Sequence, residues 1–192
     1  MRRGRPPTVD VDDLVRAAVA VIDERGMPGL TVRAVAECAG VSTMTVYRHV
    51  ADMDHLLRLV PDALLDGVAD AVGRRREPVA ALREVANGVA RVLLAHPGVV
   101  ALFITPEPGP NMRRAAERCT TLLVDRGMTP DEAFSCVRAV VAQVIGESMT
   151  AHEAYDSRGV EMLLDGVRQR LAARPGTTTR RHGRPRPQRT TS

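Results

Sequence analysis

Apolar residues recur through this chain at three- and four-residue intervals, and nowhere do they alternate long enough to make a strand. That spacing restricts the fold to helices packed on helices, so the fold class is all-α. Leu14, Val15, Ala18, Val21 and Ile22 give a first helix over about 12–25, ended by Gly26. Thr31 is placed to cap a short helix reaching Cys38, and Ser42 to cap a third reaching His49. A fourth helix is expected to start at Asp52 or Asp54 and run to about Val72, kinked at Pro61. After a charged break at 74–78, the row Leu82, Ala86, Val89 and Leu93 gives a helix over 79–96, which Pro97 and Gly98 stop.

Val99 to Ile104 reads as a short apolar turn or brief helix, and the three prolines of 105–111 exclude a helix there. A helix over 112–125 follows. Thr129, Pro130 and Glu132 then combine a cap, a first-turn proline and a glutamate three residues past the cap. They open a long helix that runs to about Ala154. Val160, Leu163, Leu164, Val167 and Leu171 mark the last helix, over about 160–173.

Charge divides the chain further. Its 192 residues carry 27 basic side chains, all arginine, against 23 acids. Residues 1–7 and 174–192 hold nine of the arginines and no acid, so 8–173 carry 18 arginines against 23 acids, a net −5. The ends are basic arms able to meet phosphates, and the body is mildly acidic. The Pro-, Gly- and Thr-rich tail at 174–192 lacks apolar periodicity and is expected to be disordered. The organisation predicted is a basic arm at 1–9, a three-helix domain at 10–55, a second helical domain at 56–173 and the basic tail at 174–192.

Several functions are excluded or disfavoured by composition. No apolar run reaches the roughly 18 residues of a membrane helix, and the basic start has no apolar stretch behind it to make a secretory signal. The chain is expected to be cytoplasmic and not membrane-bound. Cys38, Cys119 and Cys136 are odd in number and widely spaced, which fits neither a disulfide framework nor a thiolate metal cluster. No metalloprotease, P-loop or serine-hydrolase motif is present, so no enzyme, metal or cofactor is expected.

The stretch 31–50 has the form of two short helices joined by a glycine-containing turn, the helix-turn-helix. Val32, Val35 and Ala36 suit the core from the first helix; Val41, Val46 and Val50 suit it around and along the second. Thr43, Met44, Thr45, Arg48 and His49 are left for the exposed rim. The threonine hydroxyls can hydrogen-bond base edges in a major groove, and Met44 can pack on thymine methyls. Arg33 can reach a guanine edge or a phosphate. Thr31 and Ser42 either serve only as caps or also bind phosphate at the helix starts, and Tyr47 either packs or contacts the backbone of a duplex.

These residues resemble the DNA-binding domain of the tetracycline-repressor (TetR) family of bacterial regulators. The matching marks are the RGRPP run from Arg3, Gly26 before a short link, Leu30-Thr31 with Arg33, Ala36 with Gly40 to Ser42, Val46 to Val50, and Leu56-Leu57. The resemblance implies a homodimer that binds a palindromic operator and usually represses. It implies that Thr31 and Tyr47 touch phosphates and that Arg33, Thr43, Met44 and Thr45 face bases. It gives His49 a backbone contact, and Arg3 and Arg5 a reach into an adjacent minor groove. One departure stands out. The family commonly has a phosphate-holding lysine at the start of the fourth helix, and Asp52, Met53 and Asp54 stand there instead.

Leu93 to Gly98, the proline loop and Leu122 to Phe134 also resemble the second domain of the tetracycline-repressor branch, in the same order. That implies a dimerisation bundle with a pocket for a small-molecule effector. The branch's metal-binding histidine has no counterpart in 99–105, so neither metal nor tetracycline is carried over. The apolar rows of the last two helices, from Ala133 to Ile145 and from Leu163 to Leu171, either pack inside one chain or form a dimer's four-helix interface, and the resemblance implies the dimer.

Polar and aromatic residues expected around a largely apolar effector are Asn87, His96, Phe103, Met112, Gln143, Glu147 and Ser148. His96 can instead simply cap its helix, and Gln143 can bond across a dimer. The function expected is a ligand-responsive transcriptional regulator, a repressor in sign. A helical adaptor without operator binding is the alternative.

Overall fold

The computed structural model describes residues 9–104, 108–150 and 156–173. Arg3, Arg5, the tail at 174–192 and the expected end of the long helix at 151–155 lie outside them. Among the described residues the chain is helical throughout, as the apolar spacing requires.

The first unit is α1 (Val11–Arg25), α2 (Val32–Cys38) and α3 (Thr43–His49). Asp10 and Asp13 close a capping box at the start of α1, each side chain accepting from the other's backbone N–H at 2.8 and 3.0 Å. Thr31 and Ser42 cap α2 and α3 by accepting from Ala34 N and Thr45 N at 3.0 and 3.2 Å. Gly40 takes the left-handed conformation, φ +67°, in the turn between them. There the N–H of Val41 reaches back to the Ala36 carbonyl at 2.9 Å, and Gly40 N–H to Glu37 at 3.2 Å, the pair of bonds that ends a helix in a Schellman turn.

The expected fourth helix is two: α4 (Met53–Leu64) and α5 (Asp66–Gly73). Pro61 sits inside α4 and takes away one N–H, yet the helix continues past it. The break falls at Leu65, whose side chain turns into the core at 2% exposure, with Gly67, a poor helix former, just beyond. α6 (Pro78–Ala95) follows, then a 3₁₀ segment at Pro97–Phe103, then α7 (Pro110–Val124). Pro110 and Asn111, expected to be loop, start α7; proline at a first helical position gives up an N–H that had no partner anyway. α8 (Pro130–Thr150) opens on the expected box, with Thr129 Oγ1 accepting from Glu132 N at 3.3 Å and Glu132 Oε2 from Thr129 N at 3.0 Å. α9 (Arg158–Ala172) closes the described chain.

One continuous core runs from Leu14, Val46 and Leu56 in the first unit to Leu82, Val144 and Leu164 in the second. α4 belongs to both units, packing against α1 of the first and α7 of the second. The apolar rows assigned above to a dimer face are largely spent inside this chain. Ala133, Val137, Val140 and Val144 of α8 and Leu164 and Val167 of α9 are buried in its own core, chiefly because α6 packs on both helices. The Arg83 guanidinium of α6 donates through two nitrogens to the Glu161 carboxylate of α9, at 2.9 and 2.6 Å, and holds that carboxyl below its usual range.

The thiols divide by depth. Cys119 is fully buried, and burial pushes it up to about 12; burial also raises Cys136, whereas Cys38 is exposed. At neutral pH a disulfide reagent is therefore expected to modify Cys38 first, Cys136 more slowly, and Cys119 only as the chain unfolds. Mass spectrometry of the time course checks this, and early labelling of Cys119 contradicts it.

Candidate nucleic-acid interface and cavities

α3 is fastened from one side only. Val46 is fully buried and Val50, its C-cap, is 3% exposed, which turns Thr43, Met44, Tyr47 and Arg48 outward. Met44 is 72% exposed and Tyr47 53%, large side chains held in solvent on adjacent turns of one helix. Thr45 and His49 are half-buried at the edge of this face. Thr45 Oγ1 lies 3.0 Å from Ser42 Oγ, so these two hydroxyls already share a hydrogen bond at the start of α3. Thr31 accepts from Ala34 N–H, and its own hydroxyl proton remains free to donate to an anion.

Arg33 projects from the first turn of α2, and its Nε donates to Glu37 Oε1 at 2.8 Å. The guanidinium holds the Glu37 carboxyl below its usual range. Asp52 caps α4: its Oδ1 accepts from His55 N at 2.6 Å. This acid thus takes up the His55 N–H at the helix start, where the family resemblance implies a phosphate contact.

Two cavities flank α4. One, of about 530 Å³, lies between α4, the 97–103 segment and the start of α7. Leu57, Leu65, Leu102, Phe103 and Met112 make its apolar walls, with Arg58, Arg113 and His55 as its hydrogen-bond donors. His55 Nδ1 accepts from Ala51 N–H at 3.2 Å, which in the neutral ring leaves the proton on Nε2. The other cavity, of about 740 Å³, is a groove between α1 and α4, with Val15, Val19 and Leu59 on its floor.

The seven polar and aromatic residues singled out from sequence do not share one cavity. Phe103 and Met112 meet in the first. His96 lines the second, where its Nδ1 lies 2.7 Å from Asp23 Oδ2 and joins the end of α6 to α1. Asn87 sits on an exposed face of α6 and lines neither cavity. Gln143, Glu147 and Ser148 form a group on α8, with Gln143 Nε2 donating to Glu147 Oε1 at 2.7 Å and Gly159 of α9 packed against both. Glu147 Oε2 and Ser148 Oγ are buried there without a partner. Sequence reasoning missed Leu57, Arg58, Leu102 and Arg113. For Leu57 and Arg58 a signal exists: they lie one turn before Pro61, where a kink is expected.

Among the described residues no helix is long and apolar enough to cross a membrane. No group of three acids, histidines or cysteines there could hold a metal ion.

Residues 14–60 match the family described as bacterial regulatory proteins, tetR family, and residues 78–182 match the tetracyclin repressor-like C-terminal domain. The chain is 32% identical over 154 residues to the HTH-type transcriptional repressor DrrR1 of Streptomyces coeruleorubidus, covering 75% of this chain and 54% of that one. It therefore spans about half the length of that relative. It is 31% identical over 179 residues to an HTH-type transcriptional regulator of Saccharopolyspora erythraea, covering 88% and 73% of the two chains.

Among solved structures, it superposes on BioQ with its double-stranded DNA operator at a TM-score of 0.64 and 22% identity, over 83% of this chain and 98% of that one. The score is 0.64 at 23% identity for the Streptomyces coelicolor protein ActR in complex with actinorhodin, over 89% and 80%. With the helix-turn-helix and both family matches in the expected order, the chain belongs to the tetR family of bacterial regulatory proteins.

Proposed function

We propose that this chain is a ligand-responsive transcriptional repressor of the cytoplasm. A homodimer holds a palindromic operator through α2 and α3, and a small, largely apolar effector in the cavity beside α4 releases it. The observation that carries this is the outward face of α3. Met44 and Tyr47 stand in solvent beside Thr43 and Arg48 while Val46 and Val50 anchor the helix, an arrangement suited to a groove and not to the chain's own core.

The second copy is expected on the outer faces of α8 and α9. There Phe134, Met149 and Met162 are 56%, 58% and 75% exposed, and Ala142, Gly146 and Gly166 leave room for close approach. Two heads related by a two-fold axis match a palindrome. The basic arm with Arg3 and Arg5 supplies further phosphate or minor-groove contacts.

A gel shift of the chain with DNA from upstream of its own gene tests the reading. Retardation that weakens steeply with salt supports it, because arginine contacts to phosphates release counterions. No retardation at low salt leaves the helical adaptor as the better account. Glu37→Gln is expected to raise the affinity severalfold, since it removes an acid from the DNA-facing side and frees Arg33. The gain should shrink as salt screens the charge. A titration at two salt concentrations measures both, and unchanged or weaker binding contradicts the prediction.

A further inference from the structure

Asp62 stands between the two cavities and lines both. It belongs to α4, but another helix uses its carboxylate. Asp62 Oδ1 accepts from the backbone N–H of Asn111 at 2.6 Å, and Asn111 Nδ2 donates back to the Asp62 carbonyl at 3.0 Å.

Asn111 is the second residue of α7, so its N–H is one that a helix start leaves without an internal acceptor. The N-cap position of α7 is Gly109, which has no side chain to accept it. The capping role passes to Asp62, supplied from α4. A Cβ on Gly109 would come within 2.7 Å of Asp62 Cβ and Cγ, so glycine is what admits the carboxylate at this distance. At its other end α4 is separated from α3 by three residues, and its own cap, Asp52, lies in that link. α4 is thus a rod joined to the DNA-reading helix at its start and fastened to α7 near its end.

We propose that the Asp62–Asn111 pair is the fastening through which an occupant of the 530 Å³ cavity moves the reading head, which makes Asp62 the positioning residue of the response. This rests on the function proposed above. An occupant against Leu57, Phe103 and Met112 presses on the first turn of α7, because Met112 is the third residue of that helix. With the pair intact, α7 cannot shift without carrying α4 along. With the pair removed, α7 moves and α4 stays, so the operator is held whether or not the cavity is filled.

The test needs no knowledge of the natural effector, because a large side chain can serve as the occupant. Met112→Trp fills the cavity from the first turn of α7. In a Cys136→Ser background, nitroxide labels on the exposed Cys38 of each head report the head-to-head distance by pulsed electron spin resonance. Gel shifts with the upstream duplex report affinity. Met112→Trp alone is expected to change the distance and to weaken operator binding by about tenfold or more. Adding Asp62→Ala should return the distance to that of the parent chain and the affinity to within about threefold of it. Asp62→Asn keeps an acceptor oxygen and should leave the Met112→Trp effect in place. Should Asp62→Ala fail to fold, Gly109→Ala breaks the same approach from the other side, with the same expected rescue.

A double variant as displaced and as weak as Met112→Trp alone overturns the role given to Asp62 and leaves the proposed function standing. A Met112→Trp chain that binds and spaces its heads like the parent overturns the cavity reading and this inference together. Absence of any interspin distance in the parent shows that the homodimer itself is wrong, and overturns the inference with it.

Discussion

Tyr47→Ala is expected to weaken binding to the upstream duplex by about 1–3 kcal/mol, while changing the free energy of unfolding by no more than about 0.5 kcal/mol. The two halves of that result come from one observation. Tyr47 is 53% exposed on α3 and lies outside the chain's buried core, so little packing is lost when the ring is removed. Its neighbour Val46 is fully buried and shows the opposite balance. The phenol hydroxyl is a neutral donor suited to a phosphate oxygen, and a phosphate contact positions the protein without reading sequence. Tyr47→Ala should therefore weaken all duplexes alike.

Met44→Ala should behave differently. Met44 is 72% exposed and carries only apolar surface, whose counterpart in a major groove is a thymine methyl. Its loss should relax the preference at one base pair of each half-site. Titration of a panel of single-substitution duplexes, beside a urea melt of each variant, separates the two. If Tyr47→Ala loses stability in step with affinity, the ring is holding the head together and the interface has been misplaced.

The sequence carried the local structure of this head well, because each signal lay within a few residues of its effect. Gly40 terminates α2, Thr31 and Ser42 cap, and the row Leu14, Ala18 and Ile22 faces inward; each follows from spacing alone. What spacing could not reveal is contact between distant segments. Asp62 reaches Asn111 and Asp23 reaches His96 across 49 and 73 residues, and neither pair leaves a periodic trace.

α8 shows a second limit. Apolar residues occur on several of its faces, from Phe134 and Val137 to Val141 and Val144, so the pattern does not say which side meets α6 and which remains open. The row packs inside the chain, the alternative that its spacing leaves open beside a dimer face. The residues left outside it, Phe134 and Met149, are the better evidence for one. The pocket set scattered for the same cause: Gln143 and Glu147 lie against Gly159 of α9, while Arg138, Val141 and Ile145 of the same α8 line a space beside Phe103.

Leu56→Ala is expected to cost about 2–5 kcal/mol of stability, which is a large share of the roughly 5–15 kcal/mol that holds a domain folded. Leu56 is fully buried in the second turn of α4, in the same continuous core as Leu14 and Val46 of the head and Leu82 of the body. Its removal leaves a cavity where both units lean on one helix. The loss should therefore appear as a single transition at lower urea with an unchanged slope, and not as an early melting of the head. Circular dichroism and labelling of the buried Cys119, followed through the same titration, should coincide. Two separated transitions, or a loss below about 1 kcal/mol, would show that α4 does not join the cores. Leu57, one residue on, is only half-buried and lines the cavity beside Phe103. Leu57→Ala removes fewer packed contacts and should destabilise less than Leu56→Ala, while enlarging the cavity. Adjacent leucines on one helix thus meet different surroundings, Leu56 the core and Leu57 the cavity, because a single residue step on a helix turns the side chain by about 100°.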